Sequence, residues 1–518
     1  MGRLYLKRKS IPIASLSNDV IIENSSIGTV IGTFTITGGG SQPYTLSLTD
    51  DADGLFTIVG SELRVAGALD YETAIQHQIT LRMDDGVNTP RDQIFTILVT
   101  DEEEGDIVIT QNGITWTITG SPTVGQYWNG DYYVVGACTV VAQTPAWDGA
   151  KNGAMVNPTQ CAQQGYDSRP SGAQFPYNAS LRAVFPLAMS PGDSLISVEG
   201  LAVPETGAGA PVLLNAAVLT CVASAPPANS FRPPYFGTTK TLWNQSDVDY
   251  GLLPGLAVPP GKTPIPLVNN SRALARVWLD AGPSIWNRCK GVNNGATYGL
   301  DGARFVSQLA VHACADIPDA ETYANRLIQY GIDLYPISLV NGNGWSRNGG
   351  HGWGRKWPIL FAGIMLDDND MKAPPYYVTG ASGELKFEED AYTYEGVSSE
   401  LWGEDCAVTI GDSSQSQNSC RDPAGLLDNI DLPSPAGAYQ VSTSSSIIGT
   451  RLAVHLMGAD ALWGHDPYLD YCDRWTTMTS YWPSSGTTGK NDYHGYGGVS
   501  SGTGVGFMMA MWQTYRGA

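Results

Sequence analysis

The stretch Gly302-Ala-Arg-Phe-Val-Ser-Gln-Leu-Ala-Val-His-Ala-Cys-Ala315 decides the fold class of the C-terminal half of the chain. Its apolar side chains recur at positions 305, 306, 309, 310 and 313, a spacing that puts them on one face of a helix. Similar patterns predict further helices over residues 319–334, 357–366, 444–456, 467–480 and 504–515. Asp319 is predicted to be an N-cap, because its carboxylate can accept a hydrogen bond from the first helical turn. The region from about residue 286 to 518 is therefore predicted to be α-helical.

Upstream of this region the sequence has the pattern of a β protein. Short runs of alternating or β-branched residues are separated by Gly, Asp or Pro. Seven such runs are found near the N-terminus, at residues 20–22, 29–36, 44–48, 56–58, 62–65, 77–83 and 93–99. Seven short strands fit a Greek-key sandwich. Further strands at 107–110, 114–118 and 131–141 predict a second region that is an all-β sandwich with insertions. We therefore expect a multidomain α+β protein with domains at 11–103, 106–285 and 286–518.

The charge and composition exclude several classes of protein. The 518 residues contain 29 Lys and Arg against 50 Asp and Glu, which gives a formal net charge of −21. So negative a field repels phosphate backbones and anionic lipid, so neither nucleic acid nor a membrane surface is an expected partner. No run of about 18 apolar residues is present, and we expect no membrane insertion. The apolar piece Ile11–Leu16 is too short and polar for the core of a signal peptide.

One loop concentrates the side chains that chemistry needs. Residues 341–358 read Asn-Gly-Asn-Gly-Trp-Ser-Arg-Asn-Gly-Gly-His-Gly-Trp-Gly-Arg-Lys-Trp-Pro. Six glycines make this a loop between two helices, and loops on rigid helices are where catalytic groups concentrate. The candidate residues are Trp345, Arg347, Asn348, His351, Trp353, Arg355 and Lys356. The structural alternative is a glycine turn with a hydrogen-bonded histidine and core tryptophans.

A second glycine-rich loop, Asn491-Asp-Tyr-His-Gly-Tyr-Gly497, precedes the last helix. Its phenols, Tyr493 and Tyr496, could act as general acid or base, with His494 beside them; aromatic loop packing is the alternative. His312 and His455 lie within predicted helices and are interpreted as core histidines with satisfied hydrogen bonds. The eight cysteines form no C-x-x-C pair, and Cys406 and Cys420 could form a disulfide across a polar loop.

The N-terminal region resembles a cadherin repeat. The motifs that carry this resemblance are Glu23-Asn-Ser-Ser-Ile-Gly-Thr, Leu69-Asp-Tyr-Glu, Met83-Asp-Asp-Gly and Ile97-Leu-Val-Thr-Asp. The resemblance implies that acidic side chains gather at one end and bind calcium, a hard cation that takes six to eight oxygen ligands. The implied ligands are Glu23, Asp70, Glu72 and Asp101. The linker Asp101-Glu-Glu-Glu-Gly-Asp106 departs from the family pattern, and a solvated acidic linker is the alternative.

Residues 106–518 resemble α/α-toroid polysaccharide lyases of the alginate-lyase and heparinase-like kind. The resemblance rests on Phe231-Arg-Pro-Pro-Tyr, Tyr330-Gly-Ile-Asp-Leu-Tyr, Asn348 to Gly363, Ala461-Leu-Trp-Gly-His-Asp and Asp470-Tyr-Cys-Asp-Arg-Trp. With a cadherin-like module in front and no visible secretion signal, the whole chain is similar to phage tail depolymerases. The resemblance implies a virion-tail or extracellular location, an anionic polysaccharide as partner, and either a homo-oligomer or attachment to other virion proteins.

The implied reaction is β-elimination on a uronic-acid polysaccharide, with no cofactor required. Asn348 and Arg355 would neutralise the sugar carboxylate, and His351 would remove the adjacent proton. Tyr493 or Tyr496 would be acid or base, in preference to Tyr235 or Tyr298. The implied substrate-binding residues are Trp345, Arg347, Trp353, Lys356, His494, Tyr298, Arg232 and Tyr235. We also expect Arg347, Arg355 and Lys356 to form a basic pocket within an acidic surface.

Two other functions fit the sequence. A glycoside hydrolase on a helical barrel needs two carboxylates, for which Asp301, Glu389 and Asp390 are candidates. A non-catalytic tail protein could instead use its β domains to hold a glycan receptor.

Overall fold

A computed structural model describes most of the chain, in several stretches. The described residues are 11–39, 43–102, 105–120, 122–169, 176–204, 212–281, 290–295, 299–340, 345, 352–377, 385–391, 393–395, 400–402, 437–477 and 505–517. The chain divides into two compact units, unit 1 at Met1–Gly105 and unit 2 at Asp106–Ala518.

Unit 1 is a β-sandwich of two four-stranded sheets. Its strands are β1 (Ile13–Leu16), β2 (Val20–Ile22), β3 (Val30–Thr37), β4 (Thr45–Asp50), β5 (Phe56–Val59), β6 (Glu62–Val65), β7 (Gln76–Asp84) and β8 (Arg91–Thr100). The sheet orders are β1-β3-β6-β5 and β2-β8-β7-β4. Alternation along the strands buries one face of each sheet, as in β7, where Ile79, Leu81 and Met83 are buried. The predicted β-sandwich is confirmed, with one strand, β1, that the sequence pattern did not reveal.

The first part of unit 2 contains two more sheets. The strands are β9 (Ile107–Gln111), β10 (Ile114–Ile118), β11 (Val124–Gln126), β12 (Tyr132–Val135), β13 (Cys138–Thr144), β14 (Ala154–Val156), β15 (Leu187–Met189), β16 (Ser194–Gly200) and β17 (Leu213–Val222). They are ordered β15-β13-β10-β9 and β11-β12-β17-β16-β14. One short helical turn, Ala179–Leu181, lies between β14 and β15, and three more follow β17, at Gln245–Asp247, Tyr250–Leu252 and Ser271–Ala275.

The rest of unit 2 is helical. Its elements are α1 (Gly299–Cys314), α2 (Ala320–Ser338), α3 (Lys356–Met365), α4 (Glu388–Ala391), β18 (Thr393–Glu395), β19 (Glu400–Trp402), α5 (Gly437–Leu456), α6 (Asp460–Trp463), α7 (Asp466–Thr477) and α8 (Val505–Tyr515). The predicted helical C-terminal part is confirmed. Asp319 does occupy the N-cap position of α2, but its side chain makes no capping hydrogen bond.

Strands β16 and β17 form a wall between two hydrophobic cores. Leu195 of β16 and Leu219 of β17 pack into the core between the two sheets. Ile196 and Val218, which point the other way, pack into the core that also holds the helices. Both strands are therefore buried on both faces, and residues 106–285 and 286–518 belong to one compact unit rather than to the two domains that the sequence predicted.

His312 of α1 has a hydrogen-bond partner in this core for each of its two ring nitrogens. It is fully buried, with Nδ1 2.6 Å from the carbonyl oxygen of Gln308 and Nε2 accepting a hydrogen bond from the backbone N–H of Ile265 at 3.1 Å. Its interpretation as a core histidine is confirmed. Among the described helices, none has the length and hydropathy needed to cross a membrane.

Candidate functional site

Two described residues of the glycine-rich loop, Trp345 and Gly352, lie close together. Trp345 is fully buried and stacks on Phe387, with ring centroids 5.8 Å apart, and the two residues form a β-bridge. Gly352 donates its backbone N–H to the carboxylate of Glu388, the residue that follows Phe387. A Cβ on Gly352 would lie 2.8 Å from the carbonyl oxygen of Trp345, so only glycine allows the two ends to approach so closely. Trp345 and Gly352 are therefore held close together, both against residues 387 and 388.

The C-terminal part of the loop is held by a buried ion pair. Arg355 donates to Asp280 at 2.8 Å, and Lys290 lies 3.0 Å from the same carboxylate. Tyr330 of α2 also donates its hydroxyl to Asp280. Burial opposes ionisation of Asp280, but the charges of Arg355 and then Lys290 outweigh it and hold the pKa of the carboxyl below its ordinary value. Asp280 is therefore the anionic centre of a cluster that fixes α2 against the loop.

A second buried ion pair follows immediately. Lys356, the first residue of α3, pairs with Asp390 of α4, whose other oxygen accepts a hydrogen bond from the indole of Trp463 at 2.9 Å. The ammonium of Lys356 also lies 4.7 Å from the centroid of the Trp463 ring, a cation–π contact. Beside Asp390, burial and then the Asp390 charge raise the pKa of Glu389 to about 7. Glu389 can therefore carry a transferable proton near neutral pH.

The expected basic pocket is not formed by Arg355 and Lys356. Each side chain is 2% exposed, and each charge is paired with a carboxylate, Asp280 and Asp390 respectively. Buried charges need such partners, because an unpaired one would be strongly disfavoured in the interior. The prediction that Arg355 and Lys356 contact substrate is corrected: both anchor the loop.

Trp345 and Trp353 were expected to stack on sugar faces. Instead both are buried: Trp345 against Phe387, and Trp353 edge-on to Tyr468 with centroids 6.2 Å apart. Neither indole presents a face to solvent in this structure. Trp345 and Trp353 therefore pack against other aromatic side chains in the core. This agrees with the structural alternative, in which the tryptophans of the loop are core residues.

Arg232 and Tyr235 are also structural rather than substrate-binding. Both are 0% exposed. Arg232 donates to Asp131 at 2.6 Å and forms a two-pronged pair with Asp333 at 3.0 and 2.6 Å. Tyr235 accepts a hydrogen bond from the backbone N–H of Asp280 at 3.0 Å. Both residues lie in a sequence motif that was predicted to bind substrate. Their hydrogen bonds instead connect the β-rich and helical parts of unit 2.

The remaining predicted site residues lie outside the described residues. These are Arg347, Asn348, His351, Tyr298, Tyr493, His494 and Tyr496. Cys406 and Cys420 also lie outside them, while four described cysteines, Cys138, Cys161, Cys221 and Cys314, are free thiols. Of the hydrolase candidates, Glu389 and Asp390 are neighbours in α4, whereas Asp301 pairs with Arg304 on α1 at 2.8 Å.

Sequence reasoning missed Asp280, Lys290, Tyr330 and Glu388 as members of this site. The usable signal for Asp280 was its position after the apolar run Val277-Trp-Leu279, since an acid beside buried residues needs a partner. Tyr330 belongs to one of the motifs that carry the lyase resemblance, but that motif gives it no separate role. Nothing local in the sequence indicates that Lys290 shares the carboxylate of Asp280 with Arg355.

Unit 1 contains a separate acidic cluster. Oxygen atoms of Glu23, Glu72 and Asp101 lie within 4.8 Å of one another. Glu23 is almost fully buried and held by the backbone N–H groups of Tyr71 and Glu102, at 2.8 and 3.0 Å.

The pKa of Glu72 in this cluster is shifted by its neighbours. A hydrogen bond from its own backbone N–H lowers the pKa, but burial and the charges of Glu23, Asp101 and Asp70 together raise it. Three oxygen donors that repel one another suit a hard divalent cation.

Asp70, the fourth predicted calcium ligand, has a different role. Its two oxygens accept hydrogen bonds from the backbone N–H and the hydroxyl of Thr73, at 3.0 and 2.8 Å. These bonds, the side-chain one first, lower the pKa of Asp70 against the opposing effect of burial. Asp70 therefore closes a turn and is not one of the three clustered carboxylates.

Comparisons with known proteins find cadherin-like domains as structural neighbours. A human protocadherin-24 EC1-2 structure matches at 14% identity and a TM-score of 0.19, covering 42% of this chain and 100% of that one. A second crystal form of the same fragment covers 23% of this chain and 66% of its own, at the same identity and TM-score. Mouse cadherin-23 EC22-24 matches at 13% identity and a TM-score of 0.18, covering 41% and 65%. No protein-family model matches the chain, and no curated protein matches it significantly.

Proposed function

We propose that unit 2 is a polysaccharide lyase that cleaves a uronic-acid-containing polysaccharide by β-elimination. The observation that supports this best is the anchoring of the glycine-rich loop. Trp345 and Gly352 fix its ends on residues 387 and 388, and the buried pairs of Arg355 and Lys356 hold the segment that follows. Asn348 and His351 therefore belong to a short stretch whose ends are rigidly positioned, as a catalytic loop requires.

The proposed elimination assigns one task to each of these groups. Asn348 donates to the C5 carboxylate of the sugar, which makes the C5 proton more acidic. His351 removes that proton, the electron pair forms the C4–C5 double bond, and the C4–oxygen bond breaks. Tyr493 or Tyr496 gives a proton to the departing oxygen, so atoms and charge balance. Each proton-transfer group is expected to contribute about 10²–10⁴-fold to the rate.

Arg355 has a changed role in this proposal. Because its guanidinium is paired with Asp280 in the interior, it acts as a positioning residue for the loop rather than as a contact of the sugar carboxylate. Arg347 is then the remaining arginine of the loop that could meet the anionic substrate. We retain an α/α-toroid arrangement of the helices as part of the proposal.

The test is a panel of uronate polymers, including alginate, glycosaminoglycan, ulvan and pectin. The wild-type protein should release unsaturated product, seen as a rise in ultraviolet absorbance, and His351→Ala should lose it. His77→Ala, a histidine variant in unit 1, is the matched control and should keep the activity. Absence of unsaturated product from every polymer would reject the lyase, and binding without cleavage, unaffected by His351→Ala, would favour a glycan-binding tail protein.

A glycoside hydrolase is the second candidate, because two carboxyl groups of α4 have different surroundings. Asp390 is paired with Lys356 and Trp463, whereas burial and the Asp390 charge raise the pKa of its neighbour Glu389 to about 7. Glycoside hydrolysis uses a protonated acid and a carboxylate on opposite sides of the scissile bond, and Glu389 has the raised pKa that the acid requires. Reducing sugar released without a double bond, and lost in Glu389→Gln, would favour this reaction over elimination.

We also propose that unit 1 is a cadherin-like repeat that binds Ca²⁺ through Glu23, Glu72 and Asp101. The proposal is supported by the two-sheet sandwich and by the proximity of the three carboxylates. Calorimetric titration of the full chain with Ca²⁺ tests it, with Glu72→Gln as the variant that should weaken binding.

The setting we propose is a phage tail or another extracellular location, with the protein as a homo-oligomer or attached to other virion proteins. A surface location would bring the lyase to its polymer. Mass spectrometry of purified virions, together with analytical ultracentrifugation of the isolated protein, tests this setting. A monomer absent from virions would contradict the tail assignment.

A further inference from the structure

A cavity of about 530 Å³ opens in unit 2 beside the C-terminal end of α2. Four parts of the chain line it: Thr159, residues 234–243, residues 332–340 at and just after the end of α2, and the turn at 368–371 after α3. Its volume falls within the ~300–1,000 Å³ typical of small-molecule pockets. None of its lining residues belongs to the loop site or to the calcium cluster described above.

The lining of the cavity combines aromatic side chains with hydroxyl groups. Phe236 and Met371 are buried, and Trp243 and Tyr335 are half-buried. Four threonines of the lining are exposed and are called its rim: Thr159, Thr238, Thr239 and Thr241. Flat aromatic faces with hydroxyl groups at the edge match the two surfaces of a sugar ring, one of C–H groups and one of hydroxyls.

The charge of the cavity is negative. The charged residues among its described lining are Asp368 and Asp370. One oxygen of Asp368 accepts hydrogen bonds from the backbone N–H groups of Asp370 and Met371, at 2.9 and 2.8 Å, which fixes its carboxylate. Burial and then the charges of Asp370 and Asp368 raise the pKa of Tyr335, so its hydroxyl stays protonated beside them.

Three neighbouring lysines are held by oxygen atoms of the protein. Lys386 donates to the carbonyl oxygen of Val340 at 3.1 Å, and burial lowers the pKa of Lys386. Lys240 donates to the carbonyl oxygen of Pro234 at 2.8 Å, and burial and then the charge of Arg232 lower the pKa of Lys240 to about 7. Lys372 is paired with the exposed carboxylate of Asp367. A ligand in this cavity therefore meets two carboxylates, and a positively charged ligand is favoured over an anionic one.

We propose that this cavity binds a sugar residue carrying a positively charged amino group, that is, a hexosamine with a free amine. The ring stacks on Trp243 or Tyr335, the threonines of the rim meet its hydroxyl groups, and Asp368 and Asp370 face its ammonium group. This site goes beyond the proposed lyase: a uronate, the substrate class of the loop site, would be repelled by the same carboxylates.

The test is ligand-observed NMR on the full chain at neutral pH. The probes are glucosamine, N-acetylglucosamine, galacturonate and choline. Glucosamine should bind, and N-acetylglucosamine, which lacks the positive charge, should bind about tenfold more weakly. Galacturonate should not compete. Choline carries the positive charge without the ring hydroxyl groups. If choline binds as tightly as glucosamine, the site recognises quaternary ammonium groups and not a sugar, and the proposal is overturned.

Variants place the ligand in this cavity. Trp243→Ala and Asp370→Asn should each weaken glucosamine binding by about fivefold or more. Asp316→Asn, which alters an exposed carboxylate outside the cavity lining, is the matched control and should leave it unchanged. Because Asp370 is exposed, Asp370→Asn should fold normally, and unchanged thermal unfolding checks this. Equal binding by both variants and the wild type would overturn the proposal, whether or not the protein proves to be a lyase.

Discussion

Carboxylates in the two units have opposite surroundings. In unit 2, Asp131 and Asp333 both contact the fully buried guanidinium of Arg232. In unit 1, Glu23, Glu72 and Asp101 face one another, and their mutual charge contributes to a raised pKa of Glu72. The first arrangement is complete within the fold, whereas the second would gain from a bound cation. Variants in the two clusters should therefore behave in opposite ways.

The largest effect is expected for Arg232→Met. The substitution leaves Asp131 and Asp333 buried and close together without their cation, and breaking a buried pair in this way costs about 3–5 kcal/mol. Urea unfolding of the full chain measures the loss. Arg82→Met is the control, because Arg82 and Asp92 form an exposed pair on the surface of unit 1. Equal losses in the two variants would contradict the structural role of Arg232.

Next in size is a pH effect at Glu389. Its pKa is raised to about 7 in the folded protein, against 4.5 for an ordinary glutamate. Between these pH values the folded state holds a proton that the unfolded state has released. The stability that this group contributes is therefore fully present below pH 4.5 and is lost as pH rises from there through about 7, by about 3 kcal/mol.

Unfolding at a series of pH values should show this slope, and Glu389→Gln should remove it. Glu321→Gln, at an exposed glutamate at the start of α2, should leave the slope in place. A slope that survives in Glu389→Gln would mean that another group holds the proton.

A substitution in the calcium cluster should not lower the stability of the calcium-free protein, in contrast to Arg232→Met. Removing one of three repelling charges by Glu72→Gln should not destabilise unit 1 without calcium, but should reduce the stabilisation that calcium provides. For the wild type, calcium at 100 times its dissociation constant should add about 2.7 kcal/mol. Scanning calorimetry with and without calcium measures both effects. A wild-type unfolding temperature that does not move with calcium would remove the proposed site.

The smallest effect is expected for Asp70→Asn. The amide oxygen can still accept a hydrogen bond from Thr73, so the loss of stability should stay below about 1 kcal/mol. Calcium affinity should be unchanged, because Asp70 closes a turn and is not among the clustered carboxylates. A large fall in calcium affinity would restore Asp70 as a ligand.

Local patterns predicted the elements well. Strands Val20–Ile22 and Glu62–Val65 were predicted residue for residue, and the apolar face at 305–313 lies within α1. Strand β1 was missed because its four residues, Ile13–Leu16, take their β structure from pairing with β3, about twenty residues away. The local sequence pattern of so short a segment does not indicate pairing with a strand at that distance.

The site was harder to predict, because its charges are balanced by residues far away in the sequence. Arg232 looked like a binding residue, yet its partners Asp131 and Asp333 are each 101 residues from it. Arg355 likewise pairs with Asp280, 75 residues earlier. Sequence shows which side chains carry charge, but burial decides whether that charge meets a substrate or another side chain.

The most direct test of the proposed function is the ultraviolet absorbance of polymer digests made with the wild type and with His351→Ala. We expect unsaturated product from at least one uronate polymer with the wild type, and a loss of about 10²-fold or more in His351→Ala. Reducing sugar without unsaturated product, or the same rate of elimination in both proteins, would contradict the assignment of the anchored loop to β-elimination.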